Sequence, residues 1–114
     1  MSSAPPRVKS SLTVGIALRM GDMNGKPGMV LRKGDADAGG ILVALHGRAG
    51  ITVLSRVTDR DGGQTWIRAT GAAPVDQESA DIFIARQIQF DPDLWVLEFE
   101  APDMVPPFEA KIVR

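Results

Sequence analysis

Three short apolar runs, joined by even shorter glycine-bearing links, constrain this chain more than any other feature. Residues 41–46 read Ile-Leu-Val-Ala-Leu-His, 51–57 read Ile-Thr-Val-Leu-Ser-Arg-Val, and 64–70 read Gln-Thr-Trp-Ile-Arg-Ala-Thr. Each is rich in β-branched or aromatic residues and too short for a core helix, so each is expected to be a strand. The links Gly47–Gly50 and Thr58–Gly63 have hairpin length, and Asp59-Arg60-Asp61-Gly62-Gly63 carries strong turn signals. A further extended run at 27–33 precedes them across Gly34–Gly40. No room is left for crossover helices between these four strands. That argues against a doubly wound nucleotide-binding sheet and predicts neighbours that run antiparallel as a meander.

Residues 77–90 are the clearest helix, with Ala80, Phe83, Ile84 and Ile88 at helical spacing. Asp76 can cap its amino end, Glu78 and Asp81 favour its dipole, and Pro92 ends it. Leu94–Glu100 then reads as a last strand, with Trp95, Leu97 and Phe99 inward as a core stripe; a partner interface is the alternative use of such aromatics. Segment 12–24 fits two periods. Leu12, Val14, Ile16, Leu18 and Met20 alternate as a strand would, while Leu12, Ile16, Met20 and Met23 line one helical face. The helix reading is preferred for its helix-forming residues and the stops at Gly21 and Gly25. The expected fold is therefore α+β: an antiparallel β-meander of about five strands, with one long helix near the C-terminus and a second near the N-terminus. Residues 1–11 are expected to be a disordered tail, 12–101 the single domain, and 102–114 a proline-containing tail or edge strand.

Composition narrows the chemistry. The 114 residues carry 13 Lys and Arg against 14 Asp and Glu, a formal net charge of −1. Binders of duplex nucleic acid usually have a clear basic excess, so nucleic acid is disfavoured as a partner. The chain has no Cys and one His, which removes disulfides, thiolate metal sites, a cysteine nucleophile and the usual zinc ligand sets. The apolar stretch 12–20 follows two basic residues, but it is short and broken by Arg19. It fits neither a signal peptide nor a membrane span, and a cytoplasmic protein is expected.

Several residues invite a site reading. Asp35 and Asp37 sit in the glycine-rich loop 34–40. A calcium loop starting at Asp35 would place Gly39 and His46 where oxygen ligands are needed, and no P-loop ending is present. Asx turns account for the loop equally well. His46 could act as a general base towards Ser55, with Asp35 or Asp37 orienting the ring, yet no nucleophile elbow surrounds Ser55. Arg56, Trp66 and Arg68 can share one sheet face, where an aromatic between guanidinium groups could stack a base and pair a phosphate. A structural cation–π cluster is the plainer reading. Arg86 near Asp91 and Asp93 reads as a helix-end ion pair.

The runs Arg32-Lys33-Gly34-Asp35-Ala36-Asp37-Ala38-Gly39, Trp66-Ile67-Arg68-Ala69-Thr70-Gly71, and Ile84-Ala85-Arg86-Gln87-Ile88 leading into Asp91-Pro92-Asp93-Leu94-Trp95-Val96 together resemble a bacterial family. It is known only as domain of unknown function fourteen ninety-one. The resemblance spans about residues 10–101. Lys33 departs from it, standing where the family pattern has a second Arg, and so does the tail after Ala101. The resemblance implies a small cytosolic bacterial protein and supplies no activity, cofactor or site residue. The expected function is a small non-enzymatic binding or protein-interaction module without a cofactor, able to self-associate. Its small-molecule ligand, if it has one, is not specified by the sequence. The alternatives are a hydrolytic carboxylate/His site at loops 34–40 and 46–50, and a nucleotide or single-stranded RNA site at Arg56, Trp66 and Arg68.

Overall fold

The computed structural model describes residues 9–58 and 60–113. The order of elements is α1 (Ser10–Met23), β1 (Gly28–Arg32), β2 (Ile41–Gly47), β3 (Gly50–Thr58), β4 (Gln64–Arg68), α2 (Gln77–Phe90) and β5 (Trp95–Glu100). The five strands form one sheet in the order β1-β5-β2-β3-β4. The hairpins β2–β3 and β3–β4 are antiparallel, as their short links require. The turn between β3 and β4 includes Asp59, which lies outside the described residues.

The expected all-antiparallel meander is corrected here. β5 inserts between β1 and β2, antiparallel to the first and parallel to the second. The sheet is therefore mixed, and α2 is a crossover helix between β4 and β5. Burial explains this order. Val96 faces α2, whereas Trp95, Leu97 and Phe99 face α1, and all four are 5% exposed or less. A strand apolar on both faces is stabilised most in the middle of a sheet covered on both sides. The Gly34–Gly40 link is not a hairpin; it passes over the start of β5. A Cβ on Gly34 would lie 2.2 Å from the Asp93 carbonyl oxygen, and one on Gly39 would lie 2.3 Å from it. These glycines let two backbones pass at close range.

Helix α2 forms as expected. Asp76 caps it, accepting from the Ser79 N–H at 2.7 Å, and Ala80, Phe83, Ile84 and Ile88 pack on Leu42, Val53 and Val96. Segment 12–24 is helical, but its buried face differs from the expected one. Val14, Ala17 and Gly21 point inward, while Leu12, Ile16 and Met23 are 57%, 53% and 71% exposed. Small residues face the sheet because the helix lies close to it; a Cβ on Gly21 would meet the Phe99 ring at 2.9 Å. No side chain caps α1. Its first N–H groups, on Ser10 and Ser11, donate instead to the carbonyls of Asp37 and Ala36. Most of the expected tail 1–11 falls among residues 1–8, outside the described residues; Ser10 and Ser11 open the helix.

After β5 the chain crosses the α1 side of the sheet. Pro106 and Pro107 are buried, Asn24 donates to the Pro107 carbonyl, and Phe108 meets Trp66 and Phe99 at centroid distances of 5.4 and 5.9 Å. At the outer edge of β4, Trp66 N–H donates to Lys111 and Val113 N–H donates to Trp66. The result is three layers: α2, the sheet, and α1 together with the C-terminal segment.

Candidate functional site

Arg56 on β3 and Trp66 on β4 are direct cross-strand partners, so both project to the α1 side. There they line a half-open cavity of about 660 Å³. Four separate parts of the chain wall it. Thr13, Val14 and Ala17 come from α1, residues 37–40 from the loop before β2, Thr58, Gly62 and Gln64 from the end of the β3–β4 hairpin, and residues 108–111 from the C-terminal segment. Ile41, Val43 and Leu97 form an apolar floor. The volume lies within the ordinary range for small-molecule sites.

The charges are unevenly placed. Asp37, Glu109 and Lys111 line the cavity but are exposed, and Asp37 already faces Lys9 at 3.7 Å. Arg56 is half-buried, and burial lowers its pKa from the ordinary value. No described carboxylate lies within ion-pair distance of it. Trp66 is 7% exposed, with Phe108 tilted against its ring, which leaves little ring surface for a base to stack on. Arg68 lies opposite Leu54, exposed and outside the cavity. Of the predicted trio, then, two residues meet at the cavity and one does not.

The predicted hydrolytic constellation is not assembled. His46 lies at the far end of β2 from the 34–40 loop, and its Nε2 contacts Glu98 Oε1 at 2.6 Å. Ser55 is opposite Leu42, four residues along the strand, about 13 Å away at the usual rise. His46 shares the α2 side with Leu42 and Ala44 by alternation, on the opposite side of the sheet from the cavity. Asp35 makes an Asx turn, accepting from the Asp37 and Ala38 N–H groups at 3.1 and 2.9 Å. Its carbonyl accepts the Trp95 indole N–H at 2.7 Å, and its own N–H donates to Asp93. The loop joins α1, β2 and β5 and leaves Asp35 no catalytic partner. Arg86 is exposed, with no described carboxylate in ion-pair reach, so the expected pair with Asp91 or Asp93 is absent among the described residues. Among those residues, too, no three His, Asp or Glu side chains are placed to share a metal ion.

Sequence reasoning missed the cavity residues of α1 and of the C-terminal segment. The alternation of Phe108, Ala110 and Ile112 was the one available signal, and it did not say which strand the segment would meet.

The sequence pattern of the family described as a protein of unknown function, DUF1491, matches residues 8–109. The chain belongs to this family. The match to DUF1491 extends past Ala101 and includes the buried prolines and Phe108. A crystal structure of a DUF1491 family protein from Caulobacter crescentus CB15 is 28% identical, with a TM-score of 0.82; the similarity covers 94% of this chain and all of that one. An NMR structure of a DUF1491 family protein from the same organism is 27% identical, with a TM-score of 0.81, covering 94% and 97%. A solution structure of a protein from A. tumefaciens, 22% identical, shares the fold with a TM-score of 0.79 over 95% and 98% of the two chains. No curated protein matches the chain. No DUF1491 match assigns a function. Among the described residues no helix is long and apolar enough to cross a membrane.

Proposed function

We propose that this DUF1491 domain is a non-enzymatic binding module of the bacterial cytosol, and that the cavity between α1, the sheet and the C-terminal segment holds its ligand. The observation that carries this reading is the cavity itself. It has an apolar floor of strand side chains and walls from four separate parts of the chain. Such a site buries a small molecule without any change of fold. The dispersal of His46, Ser55 and Asp35 supports binding over hydrolysis. Amide chemical shifts test the proposal, read while a mixture of small organic acids, alcohols and amines is titrated into the full chain. Shifts concentrated at Val14, Val43, Trp66 and Lys111 are expected. An unchanged spectrum would reject the cavity as a site.

Contact with a protein partner, or with a second copy, is the second reading. It is favoured by Met29, Val30 and Leu31, which are exposed on the terminal strand β1. A monomer in sedimentation at micromolar concentration would remove the homodimer form.

A further inference from the structure

The cavity contains one charge that the fold leaves unanswered. Arginine cannot shed its proton in a protein, so a half-buried guanidinium keeps its charge and bears the cost of lost hydration. Buried charges are ordinarily paired. Arg56 has no carboxylate partner among the described residues, although three acids or bases line the same cavity at its exposed rim. In the same cavity, Val14, Ile41, Val43, Leu97 and Phe108 supply carbon surface, beside the neutral polar Ser10, Thr13, Thr58 and Gln64.

We infer that the cavity selects an amphiphilic monoanion, an organic acid whose single carboxylate meets Arg56 and whose apolar body lies along Val14, Val43, Leu97 and Phe108. This rests on the reading of the cavity as the ligand site. A guanidinium accepts a carboxylate through two parallel N–H donors, and the pair is strengthened where water is partly excluded. The rim argues for one negative charge rather than several. Asp37, Glu109 and Lys111 at the rim are all exposed and screened by solvent, and Asp37 already faces Lys9, so Arg56 is the one described lining charge partly withdrawn from water and it matches a single carboxylate. Polyphosphates and nucleotides therefore fit poorly, and neutral or cationic amphiphiles leave Arg56 unpaired.

The test is calorimetric titration of the full chain with octanoate, octanol, octylamine and adenosine triphosphate. Octanoate is expected to bind best, octylamine and the triphosphate worst. Lengthening the acid should tighten binding about fourfold per added methylene while the chain still fits. Arg56→Gln should weaken octanoate about tenfold or more and leave octanol unchanged. Arg56→Lys should recover part of the loss. Octanol binding as well as octanoate, or Arg56→Gln leaving octanoate unaffected, would overturn the headgroup inference while the cavity reading survives. The wild-type comparison of acid and alcohol decides this even if neither variant folds. Failure of every amphiphile to bind would overturn both.

Discussion

Among the described residues, Asp76 and Asp103 are carboxylates whose ionisation is coupled to local structure. Asp76 accepts the Ser79 N–H at the start of α2, and Asp103 accepts from Lys26 Nζ and the Val105 N–H. Hydrogen bonding from the Ser79 side chain and then its N–H favours the charged form of Asp76, as Lys26 and then the Val105 N–H do for Asp103, and both pKa values lie below the ordinary one. A carboxyl with a depressed folded-state pKa contributes stability above its unfolded value, near 4, and loses it as pH falls through the folded value. The melting temperature should therefore drop as pH is lowered below about 4, and part of that drop should be absent in Asp76→Ala. Thermal melts of both proteins from pH 7 to 2.5 check this. Parallel curves across that range would show that the cap carries no titrating contribution. The cap was legible from sequence, because Asp76 stands immediately before the apolar period of α2. The ring contact between Phe108 and Trp66 was not legible, because their partnership depends on how residues 101–107 cross the sheet.

At the scale of elements, position in the sheet separates two strands of similar composition. β5 is central and buried on both faces, and β1 is terminal with Met29, Val30 and Leu31 exposed. Leu97→Ala should cost about 2–5 kcal/mol, since its removal leaves a cavity that the neighbours cannot fill. Val30→Ala, its direct cross-strand partner, should cost less than about 1 kcal/mol because the side chain already meets water. Urea unfolding of the two variants measures the difference. Similar values would place β5 at an edge and contradict the strand order. Periodicity and turn residues located both strands, but they say nothing about which edge of β2 a later strand will occupy. The same limit applies to α1, whose helical period was visible. Its inward face was misjudged because Leu12, Ile16 and Met23 are the larger side chains, whereas the close approach to Phe99 admits only small ones.

In the whole molecule, the C-terminal segment completes the α1 layer. It covers Trp66 and Phe99, pairs with the outer edge of β4, and is tied to the turn after α1 through Asn24 and Lys26. A chain ending at Ala101 should lose these contacts, expose the aromatic face and melt about 10 °C or more below the full chain. Differential scanning calorimetry of the two chains tests this. An unchanged melting temperature would make the segment an ornament rather than a layer. The candidate site depends on the same assembly. That Arg56 and Trp66 can share a sheet face is legible from sequence, and their direct pairing comes from the β3–β4 register. Two further walls of the cavity come from residues 13–17 and 108–111, about 90 positions apart in the chain.

What the sequence determined by itself was the kind and approximate extent of α2 and of the strands, together with the two tight hairpins, while segment 12–24 fitted both periods. Helical period, β-branched runs, an Asp cap and glycine turns act within a few residues of one another. The tertiary structure alone decided that β5 enters between β1 and β2, which side of α1 turns inward, and that the last residues close a cavity over Arg56. Each of those outcomes is a competition for burial among segments far apart in the chain. Such a competition is resolved only when all the apolar surfaces are present together.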